Sequence, residues 1–278
     1  MNDSYVDVTQ DGYVATITLS NPPRHTINAA GAEALLVALE SLDAQSDVRI
    51  VVLTGGSEDI FVRHYEVDEL ATSAERQIRE SRPSRLRSPE NRERKRPRGL
   101  RGAMDLLESM DAITIAAING TAMGGGLELA LACDFRLSRS GDFRLGLPET
   151  GVGILPGGGG TQRFARLLGV AKALDLILHG TVFTPETAHE LGIASRVLST
   201  DLTSYRNEVA EFADTLAKRA PRALANAKRA IREGVDLPLQ KGLQREAELF
   251  GELMRTEDAA KALRAAFEGR PIPGFKGR

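Results

Sequence analysis

The chain has no tryptophan, one cysteine (Cys133) and only 5% aromatic residues in a length of 278. A single thiol excludes an internal disulfide and any zinc site built on several cysteines, and it suits a reducing compartment such as the cytoplasm. No apolar run approaches the roughly 20 residues needed to span a bilayer, and Met1-Asn2-Asp3-Ser4 lacks the basic and apolar regions of a secretory leader. Net charge is nearly absent as well: −2, with a pI near 6.2, gives no overall reason to expect a polyanionic partner. Several catalytic patterns are also missing. His189-Glu190 has Ile193 where a metalloprotease helix needs its second histidine, and no Gly-x-Ser-x-Gly elbow occurs. Gly151-Val152-Gly153-Ile154-Leu155-Pro156 ends in proline where a dinucleotide fingerprint needs glycine. Gly157-Gly158-Gly159-Gly160 runs into Thr161-Gln162-Arg163 and not into the Gly-Lys-Ser/Thr of a phosphate loop.

What is present is enough apolar material, 42%, to bury a substantial core in one large domain or two unequal ones. Residues 13–19 read as a strand, Asn21-Pro22-Pro23 as a break, and 29–42 as a helix through Leu35, Leu36, Leu39 and Leu42. Residues 49–54 and 113–118 are near-continuous apolar strands, each ending in glycine and leading toward a helix, with a short helix expected at 104–110. Short strands follow at 135–137 and 142–145, then a helix through Phe164 and Leu168 that Gly169 caps. This succession predicts an α/β fold whose strands and helices stack as successive turns of a coil rather than a hairpin meander. From about residue 203 only helices are expected, which divides the chain into a core at 1–199 and a helical region at 200–278.

Residues 71–101 interrupt the regularity. Arg76, Arg79, Arg82, Arg85, Arg87, Arg92, Arg94, Lys95, Arg96, Arg98 and Arg101 crowd this stretch, and Pro83, Pro89 and Pro97 oppose a long helix, so a mobile insertion is expected. Arginines beside a phosphate-bearing ligand, or a basic strip holding RNA or an acidic protein partner, are the alternatives. No aromatic residue lies between Tyr65 and Phe135 to stack on bases, which makes nucleic acid the minority reading.

The strongest chemical feature is a pair of carboxylates. Ala122-Met123-Gly124-Gly125-Gly126 opens a helix carrying Glu128, and Gly146-Leu147-Pro148-Glu149 presents the second acid. Glycines let a backbone approach a ligand closely, and the first N–H groups of a helix are free to face developing negative charge. Two acids in different surroundings can divide proton donation and proton acceptance. Taken singly, Glu128 is better explained as a first-turn glutamate and Glu149 as a turn cap than as catalytic groups. Together, joined by two short strands able to fold them face to face, they favour a shared site.

The run Ala116-Ala117-Ile118-Asn119-Gly120-Thr121-Ala122-Met123-Gly124-Gly125-Gly126-Leu127-Glu128-Leu129-Ala130-Leu131-Ala132-Cys133-Asp134 resembles the enoyl-CoA hydratase/isomerase (crotonase) family, as does 147–163, and the two blocks stand in the family's order. The resemblance implies a spiral of ββα turns followed by C-terminal helices that mediate trimerisation, as a homo-trimer or hexamer. It implies an acyl-CoA thioester substrate, no cofactor beyond that thioester, and no metal. It also implies an enolate held by two backbone N–H groups, with Gly125 matching one. Glu128 and Glu149 match the two acids that handle water in the hydratases, and retention of both favours reversible hydration of a 2-enoyl-CoA. Isomerisation, hydrolysis or decarboxylation of a CoA thioester are the alternatives.

The main departure from the family is Phe61-Val62-Arg63-His64-Tyr65-Glu66, where members carry a Gly-Ala-Asp run. Tyr65 stands at the donor alanine, and its N–H can still serve because any residue except proline supplies one. His64 replaces the glycine, at about 1–2 kcal/mol if that position is left-handed. It can act as an extra acid or base or simply pack. Arg24, Arg63 and Lys276 are candidate CoA contacts, and Gly124, Pro148 and His64 candidate acyl contacts.

Overall fold

The computed structural model describes residues 5–80 and 97–278. The chain opens with an antiparallel pair, β1 (Val6–Asp11) and β2 (Val14–Leu19), and a loop leads to α1 (Ala29–Asp43). Asn28 caps that helix, its side-chain oxygen accepting from the Gly31 N–H at 2.8 Å, an interaction typically worth about 1 kcal/mol. Then follow β3 (Ile50–Gly55), β4 (Ile60–Val62), α2 (Val67–Glu80) and α3 (Gly99–Ser109). Next come β5 (Ile113–Ile118), β6 (Thr121–Met123), α4 (Gly125–Ala132), β7 (Phe135–Arg139), β8 (Leu145–Gly146), a single 3-10 turn (Glu149–Val152) and α5 (Gly160–Leu168).

The order of the strands makes a coil. β3, β5 and β7 lie side by side in a sheet ordered β1-β2-β3-β5-β7-β10, while β4, β6 and β8 lie side by side in a second sheet completed by β9. Each turn of chain therefore contributes one strand to the first sheet and the next to the second before entering a helix. α6 (Val170–Leu178), β9 (Val182–Phe183), α7 (Pro185–Glu190) and β10 (Arg196–Leu198) close this part, and α8 (Leu202–Ala217), α9 (Pro221–Gly234), α10 (Leu239–Leu253) and α11 (Glu257–Phe267) follow. None of the described helices is long and apolar enough to cross a membrane.

The continuous apolar runs in β3 and β5 arise because both faces of the larger sheet are covered. Val51, Leu53, Ala116 and Ile118 point into one core with α1, α3 and α4, whereas Ile50, Val52, Ile113 and Ile115 point into another with Tyr205, Val209 and Ala213 of α8. Tyr205 is fully enclosed there, and its hydroxyl donates to the Leu137 carbonyl at 2.9 Å. The chain's end is fastened to the sheet by one side chain. Buried Arg49 donates to the Ala217 carbonyl at 2.9 Å and the Phe275 carbonyl at 2.8 Å, with its guanidinium 3.6 Å from the Tyr13 ring centre.

Three expectations need correction. The insertion expected at 71–101 is helical at both ends: 71–80 complete α2, 99–101 begin α3, and the part at 81–96 lies outside the described residues. Pro83, Pro89 and Pro97 all fall between the two helices and so interrupt neither. Asp68 and Glu69 in the first turn of α2 complement its dipole, and Leu100, Ala103, Met104 and Leu107 recur at helical spacing in α3, packing against α1 and the core. The strand expected at 142–145 shrinks to Leu145–Gly146, because only there does it pair with β6 and β9. The sequence reading also passed over β1, β4, β6, β9, β10, α2, α6 and α7.

Candidate active site

The smaller sheet assembles the site through register. β4, β6 and β8 run parallel, with Ala122 opposite Leu145 and Met123 opposite Gly146. At their ends the Met123 N–H donates to the Arg63 carbonyl at 3.1 Å and the Gly124 N–H to the Gly146 carbonyl at 2.9 Å. Three chain segments therefore leave the sheet at the same level: Arg63-His64-Tyr65 after β4, Gly124-Gly125 after β6, and Leu147-Pro148-Glu149 after β8. Ligand sites in parallel sheets form at such carboxyl ends.

Two glycines of the turn are required by space and backbone. Gly124 has φ 47°, in the left-handed region, and a Cβ there would lie 3.1 Å from Glu149 Oε1 and 3.9 Å from the His64 Cβ. A Cβ at Gly126 would lie 2.1 Å from the Val62 carbonyl oxygen, so only glycine lets α4 start against β4. A Cβ at Gly125 would sit 3.4 Å from the Tyr65 nitrogen, which makes the two backbone amides neighbours. Neither amide has a hydrogen-bond acceptor among the described residues. The loop after β4 is zipped to the β2–α1 loop by Arg63 N–H to His25 carbonyl, Ile27 N–H to His64 carbonyl and Glu66 N–H to Ile27 carbonyl, at 2.8, 3.0 and 2.8 Å. That pairing leaves the Tyr65 N–H pointing elsewhere.

The substitutions in this loop are accommodated without strain. Of the described non-glycine residues only His25 has a left-handed φ, so His64 pays no such cost. The His64 Nδ1 lies 2.7 Å from the Tyr65 carbonyl and must carry the hydrogen, since a carbonyl only accepts. The Tyr65 hydroxyl donates to Glu69 Oε2 at 3.0 Å, and that oxygen also receives the Ala29 N–H at 2.9 Å. Burial, followed by the hydrogen bond and charge of Glu69, pushes the Tyr65 phenol up to about 12. It stays protonated and committed to Glu69.

The two acids occupy unlike surroundings. Glu128, on α4, is 3% exposed, and its Oε1 accepts the Gly160 N–H at 2.7 Å. Burial raises its carboxyl above the ordinary range, opposed by the Gly160 and Gly158 amides and by the charge of Arg163. Glu149 is half-buried, and its Oε2 has no hydrogen-bond partner. Burial pushes Glu149 up to about 7, with its own backbone amide opposing and the nearby charge of Glu128 adding to the rise. Leu100 and Met104 of α3 lie against the two glycine segments: their side chains come within 3.6 Å and 3.2 Å of positions a Cβ would take at Gly125 and Gly158.

Of Arg24, Arg63, Lys276 and Pro148, only Pro148 adjoins one of the acids. Arg24 is mostly exposed and paired with Glu66 at 2.9 Å. Arg63 is exposed and makes no ion pair among the described residues. Lys276 is exposed, with its backbone N–H on the Asp258 carboxylate at 3.0 Å. Pro148 accepts the Gly151 N–H at 3.0 Å and sets the 3-10 turn that carries Glu149. A cavity of about 270 Å³ between α9, α10 and α11, with Phe275 on its wall, is lined by neither acid.

Sequence reasoning missed how Glu128 is held. The Gly157 to Gly160 run fails as a phosphate loop, yet its amides do grip an anion, the Glu128 carboxylate. Arg163 joins that loop to Glu108 of α3.

Comparison with known proteins agrees with this architecture. The family model described as enoyl-CoA hydratase/isomerase matches residues 9–278. The short-chain-enoyl-CoA hydratase of Clostridium acetobutylicum is 33% identical over 272 residues, 97% of each chain. The 2,3-dehydroadipyl-CoA hydratase of Escherichia coli is 32% identical over 98% of each. A crystal structure of an enoyl-CoA hydratase from Bacillus anthracis superposes with a TM-score of 0.85 at 33% identity, over 99% of this chain and 100% of that one. A match that runs through both sheets, the acid pair and the C-terminal helices makes this chain an enzyme of the enoyl-CoA hydratase/isomerase family.

Proposed function

We propose that the enzyme adds water reversibly across the C2–C3 double bond of a 2-enoyl-CoA thioester. The observation that carries this reading is the meeting, at one helix start, of two unpaired amides and two carboxyls in contrasting surroundings. The N–H groups of Tyr65 and Gly125 receive the charge that builds on the thioester oxygen as water attacks C3. A helix N-terminus carries about half a positive charge, and one such donor is typically worth about 3–4 kcal/mol in the transition state. Glu128, fixed by backbone amides, takes a proton from the attacking water. Glu149, close to half protonated at neutral pH, delivers a proton to C2, and the reverse reaction exchanges the two roles. The thioester itself accepts the charge, so this reading calls for no resident cofactor. Two relatives whose names specify hydratases support hydration over isomerisation.

Arg63, lacking an ion-pair partner among the described residues, is suited to a CoA phosphate, and Arg24 can serve only by releasing Glu66. Gly124, Pro148 and His64 border the acyl group in this reading, and Lys276 reaches CoA from a neighbouring copy. Exposed Leu239, Phe250 and Phe267 on the C-terminal helices support self-assembly, as a trimer or hexamer. The single thiol fits the cytoplasm.

A panel of 2-enoyl-CoA esters incubated with purified protein tests the reading, scored by loss of enoyl-thioester absorbance and gain of one water by mass. Glu128→Gln and Glu149→Gln each lower the rate of water gain by roughly 10²–10⁴. Tyr65→Pro, which removes the amide, lowers kcat by roughly 10²–10³, and Tyr65→Ala, which keeps it, costs far less. Water gain on no ester, or hydration by either Gln variant at a rate near that of the wild type, refutes the proposal.

A further inference from the structure

We infer that Arg163 is a positioning residue for the proposed hydration: clamped by Glu108, its guanidinium holds the glycine loop whose amides keep Glu128 in place and ionised. The inference rests on the hydration reading for its kinetic signature, but its geometry stands independently.

Each part of the arrangement is held by a direct contact. Arg163 Nε and Nη2 donate to Glu108 Oε1 and Oε2, each at 2.9 Å, a two-pronged pairing that fixes the plane of the guanidinium. The remaining nitrogen, Nη1, donates to the Gly158 carbonyl at 2.7 Å. On the far side of that loop the Gly160 N–H reaches Glu128 Oε1 at 2.7 Å, and a Cβ at Gly158 would lie 2.7 Å from Glu128 Oε2. The loop is thus pulled from behind by a cation while its amides face the carboxylate. Arg163 touches neither acid directly.

Glu108 is itself fixed from the C-terminal helices. Arg232 of α9 donates to Glu108 Oε1 at 3.3 Å and to Asp134 Oδ1 at 2.8 and 3.1 Å, and Lys228, also on α9, pairs with Asp134 at 2.9 Å. A chain of alternating charges therefore runs from α9 through α3 and α5 to the loop that cradles Glu128. The charged groups acting on Glu128 are Arg163 from α5 and, across the cleft, Glu149 from the 3-10 turn. Asp105 and Glu108 of α3 act on Arg163 in turn. Lysine cannot replace this arginine: it supplies the charge but not three donors in a rigid plane.

Arg163→Gln and Arg163→Lys test the inference by pH-dependent kinetics on an ester the wild type hydrates. Arg163→Gln lowers kcat about tenfold or more with KM changed less than about threefold, since loop position and not substrate binding is lost. The acid limb of kcat/KM moves up by about one pH unit, because Glu128 loses a nearby positive charge that favours its ionised form. Arg163→Lys restores the limb but only part of kcat. Wild-type kcat and limb in Arg163→Gln, or a loss confined to KM, overturns the inference. If the glutamine variant does not fold, wild-type kcat in Arg163→Lys overturns it and a lowered kcat with an unmoved limb supports it. A second readout needs no turnover: NMR titration of Glu128 in protein carrying 13C-labelled glutamate and Glu149→Gln. There Arg163→Lys keeps the Glu128 midpoint and Arg163→Gln raises it, and an unmoved midpoint in Arg163→Gln overturns the inference. Failure of the wild type to hydrate any ester defeats the hydration reading and leaves this titration to judge Arg163.

Discussion

Replacing Glu149 with glutamine should stabilise the protein while disabling it. Glu149 has a buried oxygen with no hydrogen-bond partner, and its carboxyl moves from an ordinary 4.5 to about 7 on folding. The folded state therefore holds this proton more tightly than the unfolded chain. Between those two values the folded form carries more protons, so stability falls as pH rises, and the whole penalty is present above pH 7. At 1.36 kcal/mol per pH unit the ceiling is about 3.4 kcal/mol, and solvent screening at a half-buried group reduces it to about 1–2 kcal/mol. Glutamine removes the charge and the penalty with it. Thermal unfolding of wild type and Glu149→Gln should coincide near pH 5, and at pH 8 the variant should melt higher by about 2–6 °C. Comparing the two pH values cancels any other effect of the amide. Activity should fall by roughly 10²–10⁴ in the same variant. A melting difference of the same size at pH 5 and pH 8, or a variant that is relatively less stable at pH 8, refutes the assignment of a buried, proton-retaining carboxyl.

The remaining predictions concern titration, space and a buried hydroxyl. Hydration by the wild type should decline about tenfold per pH unit on the alkaline side of about 7 as Glu149 loses its proton, and a pH–rate profile flat from 7 to 9 would contradict this. Gly126→Ala should cost about 1–3 kcal/mol or more, because its methyl would meet the Val62 carbonyl of a strand that cannot retreat from the core. Urea unfolding of this variant at wild-type stability would show that α4 can shift. Tyr205→Phe should destabilise by about 1–3 kcal/mol by leaving the Leu137 carbonyl without its side-chain donor, as read from the urea midpoint.

The sequence made some of these features readable and concealed others for physical reasons. Residues 49–54 and 113–118 stood out because strands covered on both faces have no polar alternation to blur them. Glu128 and Glu149 stood out because glycine-rich turns flank both. β1 escaped because it is an edge strand whose residues are exposed after Val6, so it shows no apolar repeat. β8 and β9 are two residues each, too short for any period to appear. The basic composition of 71–101 masked the first turn of α3, with Leu100, although the rest of that helix was legible at 104–110. Arg163 and Glu108 meet across 55 positions of sequence with no local pattern to announce the pairing. Composition and spacing record local geometry well, and partners brought together by the coil hardly at all.

Arg49 gives the assembled molecule a mechanical property of its own. One guanidinium gathers a ring from the first hairpin, the last carbonyl of α8 and a carbonyl near the carboxyl terminus, so the first and last segments share a single knot. Loosening any strand of that knot would strand a cation in the interior, and so the two ends of the polypeptide should come undone in concert.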